Sequence, residues 1–98
     1  MTATDTSVVE KTKLKETVLW TVVLHNDDFT PMEFVTAILT EVFFLDELAA
    51  NEIMLTVHNE GKAPVGKFSK EIAITKAAHV CHLAEQCEHP LLATAEEA

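Results

Sequence analysis

The sequence has few basic residues for its length. Lys and Arg together number 7 against 16 Asp and Glu, which gives a formal net charge of −9 at pH 7. A surface of this sign repels nucleic acid phosphates and anionic lipid headgroups. We therefore expect neither nucleic acid nor a membrane surface among the partners of this protein.

Long apolar stretches are missing as well. No run of the chain approaches the roughly 20 apolar residues that a membrane-spanning helix needs. Residues 1–17 show neither the hydrophobic core of a signal peptide nor an Arg-rich amphipathic pattern. These features predict a cytoplasmic protein. With 98 residues, of which 48% are hydrophobic and 23% charged, the chain is expected to fold as one ordinary globular domain.

Glycine and cysteine are scarce, with two of each. Two glycines cannot form a Gly-rich phosphate-binding loop. Cys81 and Cys87 are six positions apart in a predicted helix, about 9 Å along its axis and on different sides, so no disulfide can join them. Together with His82 and His89 they have the chemistry of zinc ligands, but not the spacing of a zinc site. We predict no metal and no other cofactor.

The first two predicted elements are a strand and a helix. The β-branched and aromatic run at residues 18–24 predicts a mostly buried strand. Thr30, Pro31 and Glu33 combine a helix cap, a first-turn proline and a capping-box acid, which predicts that a helix starts there. Apolar residues then recur at steps of three and four, which predicts one core-facing stripe. They are Val35, Ile38, Leu39, Val42 and Phe43.

Two further helices follow. Asp46 and Ser69 are predicted to cap them at their amino ends. Gly61 is predicted to end the first of the two in the left-handed conformation, and Pro90 to stop the second. Their predicted core-facing stripes are Ala50, Ile53, Met54 and Val57, and then Ile72, Ala73, Ala77, Val80, Leu83, Ala84 and Cys87.

These elements together predict an α+β fold. We expect a single compact α/β sandwich, in which three helices pack on a small three-stranded antiparallel sheet. The second strand is expected over residues 62–68, a segment that suits an edge strand or an extended turn, and the third at residues 91–94. Residues 1–17 are predicted to form a flexible arm before the folded domain at residues 18–98. We expect a monomer.

A polar loop before the first helix is the densest set of groups that can bind a ligand. Asn26, Asp27 and Asp28 offer amide and carboxylate oxygens beside Met32, in an apolar first helical turn. Such oxygens suit a protonated amine, which has three donors and no acceptor, and His58 can add a further acceptor. The same residues also suit a turn with a helix cap, and a lone histidine is more often structural. Both interpretations stay open on pattern alone.

Four segments resemble the ClpS family, in the same order along the chain. They are VLHNDDFTPMEFV at residues 23–35, IMLTVHNEG at 53–61, EIAITK at 71–76 and EHPLL at 88–92. Four motifs at compatible spacings are more specific than any single short pattern. The resemblance implies an adaptor, not an enzyme, that binds N-degron substrates with Leu, Phe, Tyr or Trp at a free amino terminus. It would deliver them to a ClpA- or ClpC-type AAA+ unfoldase of the Clp protease.

The resemblance also implies roles for single residues. Asn26, Asp28 and His58 match the family residues that hold the substrate's α-amino group, with Asp27 as a lesser contributor. The residues that match the wall of the family's side-chain pocket are Leu24, Thr30, Met32, Val35, Met54, Val57 and Leu91.

The unfoldase-docking segment of the family matches Glu71, Thr75 and Lys76. Glu71 and Thr75 are four residues apart and therefore share one side of the third helix. The resemblance implies that this segment binds the amino-terminal domain of the unfoldase.

Two other functions compete with the adaptor. A regulator that docks on the unfoldase amino-terminal domain and blocks other substrates would have the same fold, and it remains the alternative. A hydrolase built on His58 with Asp27 or Asp28 would need a Ser or Cys nucleophile in the same constellation, and none belongs to it.

Overall fold

Three helices pack on a three-stranded sheet, as the sequence predicted. The computed structural model describes residues 18–98, so the predicted arm at residues 1–17 lies outside the described residues. The elements follow one another as β1 (Trp20–His25), α1 (Met32–Glu41), α2 (Glu47–Glu60), β2 (Lys62–Phe68), α3 (Lys70–Gln86) and β3 (Leu92–Glu97).

The first strand lies in the middle of the sheet. The strand order is β2-β1-β3, and β1 pairs antiparallel with both neighbours. Trp20 is opposite Phe68 on one side and Glu97 on the other, and a β-bulge shifts the register with β2 after Val22. The predicted edge position of the second strand is confirmed. Because β1 is central, the loop that leaves its end starts from the most strongly held strand.

The core lies between the sheet and the helices. Val22 and Leu24 of β1 are completely buried, as are Leu39 of α1 and Val80 of α3. Burying each such side chain contributes about 1.5–3 kcal/mol. The predicted stripe of α1 is confirmed, since all five of its residues are buried.

Local capping signals set the ends of α2. Asp46 precedes the helix, and its carboxylate accepts a hydrogen bond from the Ala49 amide at 2.8 Å. Gly61 follows the helix with φ of 94°, a backbone conformation that glycine adopts without strain. Both predictions are confirmed. Ser69 likewise caps α3 by accepting a bond from the Ile72 amide at 3.4 Å.

The predicted cap of α1 is wrong. The residue before the helix is Pro31, and it has no side-chain capping bond. Thr30 instead donates its hydroxyl to the Asp27 carboxylate at 2.8 Å. A hydroxyl can serve as a helix cap or as part of a tight loop, and here the nearby carboxylate is the stronger acceptor.

The end of α3 also differs from the prediction. The helix stops at Gln86, four residues before Pro90. The Glu88 amide donates to the Glu85 carbonyl at 3.0 Å and the His89 amide to the Ala84 carbonyl at 2.8 Å. This pair of bonds is a Schellman motif, with Glu88 in the left-handed position at φ of 62°. Glycine usually takes this position, so the backbone there is strained by about 1–2 kcal/mol.

Part of the predicted stripe of α3 is exposed. Ala73, Ala77, Val80 and Ala84 are buried, whereas half of Ile72 is exposed and Cys87 is exposed. The small alanines let α3 lie close to the sheet, and this close approach leaves Ile72 at the rim. None of the helices within residues 18–98 combines the length and the apolar character needed to cross a membrane.

Candidate functional site

A cleft opens where the loop after β1 meets the first half of α1 and the second half of α2. Its volume is about 260 Å³. It is lined by Asn26, Asp27, Asp28, Thr30, Met32, Val35, Met54, Val57 and His58. All of these residues belong to the ligand site proposed from the sequence, so the fold brings together two segments that are far apart in the chain.

One backbone hydrogen bond joins the two sides of this cleft. The loop leaves the end of β1, and its Asn26 amide donates to the Gly61 carbonyl at 2.8 Å. His58 lies in the last turn of α2, three residues before Gly61. Asn26, Asp28 and His58 are exposed to solvent. Polar groups from two different elements therefore face one opening.

The remaining wall is apolar. Val35 and Val57 are buried, with exposed fractions of 7% and 2%, and their side chains close the inner part of the cleft. Met54 is half-buried, and Met32 is 42% exposed near the opening. Unbranched thioether chains can adopt several rotamers, so these two walls can adjust to guests of different shape. The cleft thus combines hydrogen-bond acceptors at its rim with an apolar interior.

Asp27 stabilises the loop itself. Its carboxylate accepts hydrogen bonds from the Phe29 amide at 2.8 Å, the Thr30 amide at 2.7 Å and the Thr30 hydroxyl at 2.8 Å. Desolvation alone would raise the pKa of Asp27, but these bonds and the nearby charge of His89 outweigh it and hold the pKa below its usual value. Because its oxygens already accept three bonds, Asp27 positions the loop more than it offers free acceptors.

His89 lies against α1, a position that no sequence pattern predicts. Its ring makes an edge-on contact with Phe34 of α1, with 4.7 Å between ring centroids, and its charge acts on Asp27. The contact joins the turn after α3 to the start of α1. No local pattern could have indicated it, because the partners are more than fifty residues apart in the chain.

Two residues expected in the pocket wall do not line the cleft. Leu24, in the central strand β1, is completely buried in the core. Leu91 is 4% exposed and borders a different, shallower cavity beside the second half of α3.

The predicted docking residues lie on the first turns of α3. Glu71 and Thr75 are exposed. Lys76 is half-buried, because its ammonium group turns back and donates to the Val42 carbonyl at 2.9 Å. This contact caps the end of α1 across thirty-four positions of sequence, a separation at which no local pattern predicts a partner.

The residues considered for zinc do not form a site. Cys81 is half-buried and its thiol contacts the backbone of Ala93 at 3.5 Å, whereas Cys87 is exposed; both are free thiols. Within residues 18–98, no group of three or more His, Cys, Asp or Glu side chains is placed to hold a metal ion.

Comparison with known proteins gives a consistent result. The family model for the ATP-dependent Clp protease adaptor protein ClpS matches residues 15–94. A ClpS adapter protein from Vibrio atlanticus is 53% identical over 88 residues, covering 90% of this chain and 83% of the relative. One from Roseobacter denitrificans is 52% identical over 95 residues, covering 95% and 84%.

A solved structure shares the fold. Agrobacterium tumefaciens ClpS2 bound to L-phenylalaninamide superposes with a TM-score of 0.81 at 40% sequence identity, covering 83% of this chain and 98% of that one. The family match over most of the chain, the identity with curated relatives and the shared fold agree. The chain therefore belongs to the ClpS family of ATP-dependent Clp protease adaptor proteins.

Proposed function

We propose that this adaptor binds proteins by a free amino terminus whose first residue is Leu, Phe, Tyr or Trp, and delivers them to the ATPase of the Clp protease. The observation that carries the proposal is the cleft, where polar acceptors at the rim lie directly beside an apolar interior. The bound L-phenylalaninamide of the Agrobacterium relative has the same two parts, a free amine and a bulky apolar side chain.

In this proposal Asn26, Asp28 and His58 hold the α-amino group. An ammonium donates three hydrogen bonds, and acceptors that approach from the loop and from α2 can meet it from different directions. Each charge-assisted hydrogen bond contributes about 1.5–3 kcal/mol. Asp27 contributes by fixing the loop in which the acceptors stand.

The apolar interior would take the first side chain. Burying a large apolar group contributes about 1.5–3 kcal/mol. With two or three hydrogen bonds added and the association cost subtracted, the affinity should be near the micromolar range. Such an affinity suits an adaptor, because the substrate must be released to the protease.

Selectivity follows from the same contacts. An acetylated terminus has no ammonium, so binding would bury the rim acceptors without a partner. Internal residues should be rejected for the same reason. We propose no catalytic role for any residue of the cleft.

The delivery partner is a ClpA- or ClpC-type ATPase, contacted through its amino-terminal domain by the surface around Glu71, Thr75 and Lys76. The exposure of Glu71 and Thr75 at the start of α3 supports this surface. A monomer in the cytoplasm is part of the proposal, and the free state of both cysteines suits that compartment.

Fluorescence anisotropy with a labelled Phe-start peptide tests the cleft. We expect micromolar binding, competition by free-amine Leu-start peptides, and none by the acetylated form. Equal binding of the acetylated peptide would contradict the ammonium site. A protein that docks on the ATPase but binds no Phe-start peptide would instead be a regulator that blocks other substrates.

A further inference from the structure

Phe44, in the turn between α1 and α2, combines two unfavourable features. Its φ of 58° lies in the left-handed region, which bulky aromatic residues rarely adopt. Its side chain is 80% exposed, although a phenyl ring gains nothing from water. Neither feature helps the isolated domain, and strained residues of this kind concentrate at functional contacts.

Lys76 holds this turn from the side of α3. Its Nζ donates to the Val42 carbonyl at 2.9 Å. The same Nζ lies 5.3 Å from the ring centroid of Phe44, 5.5 Å from that of Phe43 and 5.6 Å from that of Phe68 in β2. All three distances are within the range of cation–π attraction. Lys76 thus contacts both the backbone of the turn and its exposed ring.

The exposed ring borders the surface proposed for docking. Ile72 precedes Lys76 by four residues, so the two lie on the same side of α3, and Ile72 is 50% exposed. Glu71 and Thr75 are exposed on the neighbouring stripe of the same helix. Ile72 and Phe44, the second of which contacts Lys76, therefore add exposed apolar groups to the docking segment.

We propose that Phe44 is an apolar anchor that enters a hydrophobic pocket on the Clp ATPase, and that Lys76 is a positioning residue that holds Phe44 rather than a direct contact. The proposal rests on the docking part of the proposed function. It differs from the sequence-based interpretation, in which Lys76 itself touches the ATPase. Aromatic anchors that bury in a pocket of the partner account for a large share of the affinity at many interfaces.

The variant Phe44→Gly tests the anchor without unfolding the protein, because glycine adopts a φ of 58° without strain. Binding of the labelled adaptor to the intact hexameric ATPase should weaken by at least about tenfold. Phe-start peptide binding should stay unchanged. Phe29→Ala is the control, since Phe29 is 79% exposed in the loop beside the cleft, and it should leave ATPase binding unchanged. Phe44→Trp keeps an aromatic ring and should retain most of the binding.

A double-mutant cycle tests the positioning role of Lys76. Lys76→Ala should weaken ATPase binding in the wild-type background and have no further effect in the Phe44→Gly background, because the ring that it holds is gone. Additive losses from the two substitutions would show that Lys76 touches the partner directly and would overturn its positioning role.

The anchor and the docking proposal fail in different ways. If Phe44→Gly binds the ATPase as tightly as the wild-type protein does, only the anchor is overturned. A wild-type protein that does not bind any ClpA- or ClpC-type ATPase overturns both. If Phe44→Gly instead changes the sedimentation of the adaptor and not its ATPase binding, the ring serves self-association and the proposal is wrong.

Discussion

The carboxylate of Asp27 holds Thr30 at two points, accepting from its backbone amide at 2.7 Å and from its hydroxyl at 2.8 Å. With the Phe29 amide as a third donor, this single side chain fixes the loop that precedes α1. Asp27→Asn should therefore lower the free energy of unfolding by about 1 kcal/mol at pH 7, similar to the loss of a helix cap. Urea unfolding of both proteins measures the difference.

The effect of Asp27 should depend on pH in a defined direction. Its pKa lies below the ordinary value of 3.8 in the folded protein, so the folded state binds the proton more weakly than the unfolded state. The stabilisation is present in full above about pH 5 and is lost as the pH falls through 3.8 toward the folded-state pKa. The difference from Asp27→Asn should shrink over the same range. A difference that stays constant down to pH 2 would contradict this explanation. Asp28→Asn, at an exposed neighbour, is the control.

Removing either acceptor at the rim should weaken ligand binding. Asp28→Ala and His58→Ala each remove a proposed partner of the ammonium, and we expect at least a tenfold loss of Phe-start peptide affinity, on the order of 1.5 kcal/mol. Anisotropy titration measures the loss. Glu41→Ala and His79→Ala are matched controls, because both side chains are exposed and neither lines the cleft. Unchanged binding in Asp28→Ala and His58→Ala would remove the ammonium-site assignment.

Met32 should control which first residues enter. Its side chain is partly exposed at the opening of the cleft, and we propose that it excludes the branched Cβ of a Val or Ile first residue there. Met32→Ala should therefore improve binding of Val-start and Ile-start peptides severalfold, and weaken Leu-start binding slightly because apolar contact is lost. Competition titrations with the three peptides measure the change. Leu55→Ala, on the outer side of α2, should not change the affinity for any of these peptides. An unchanged peptide preference in Met32→Ala would show that Met32 does not control which first residues enter.

Glu88 offers a stability test independent of function. Its left-handed backbone suits glycine, so Glu88→Gly should raise the free energy of unfolding by about 0.5–1 kcal/mol after the extra chain entropy of glycine is subtracted. Thermal unfolding should show a rise of a few degrees in Tm. Glu88→Ala removes the same charge but keeps a Cβ, and it should give a smaller gain. Glu52→Gly, inside α2, should destabilise by about 1 kcal/mol.

Local signals in the sequence predicted most of the fold correctly. Asp46, Gly61 and Ser69 act within a few residues of themselves, and each occurs where its capping pattern predicts. The β-branched and aromatic run of β1 and the helical spacing of apolar residues in α1 likewise report burial directly. For the same reason the two segments that form the cleft could be proposed from their chemistry and from the resemblance to the family.

The differences arise where one side chain has two possible partners or where the partner is distant in sequence. Thr30 has the pattern of a helix cap, but a carboxylate three residues earlier competes for its hydroxyl. Lys76 has the pattern of a solvent-exposed helix position, and its bond to Val42 depends on how α3 lies against α1. The contact of His89 with Phe34 depends on the same packing, which no local pattern encodes.

The hydrogen bond between the Asn26 amide and the Gly61 carbonyl has a consequence for how fast a ligand is captured. It links the loop to the end of α2 through backbone atoms, so these two sides of the cleft keep their separation before any ligand arrives. Binding therefore requires little further ordering of the chain, which favours rapid association. Differences in affinity between ligands should then arise mainly from their dissociation rates.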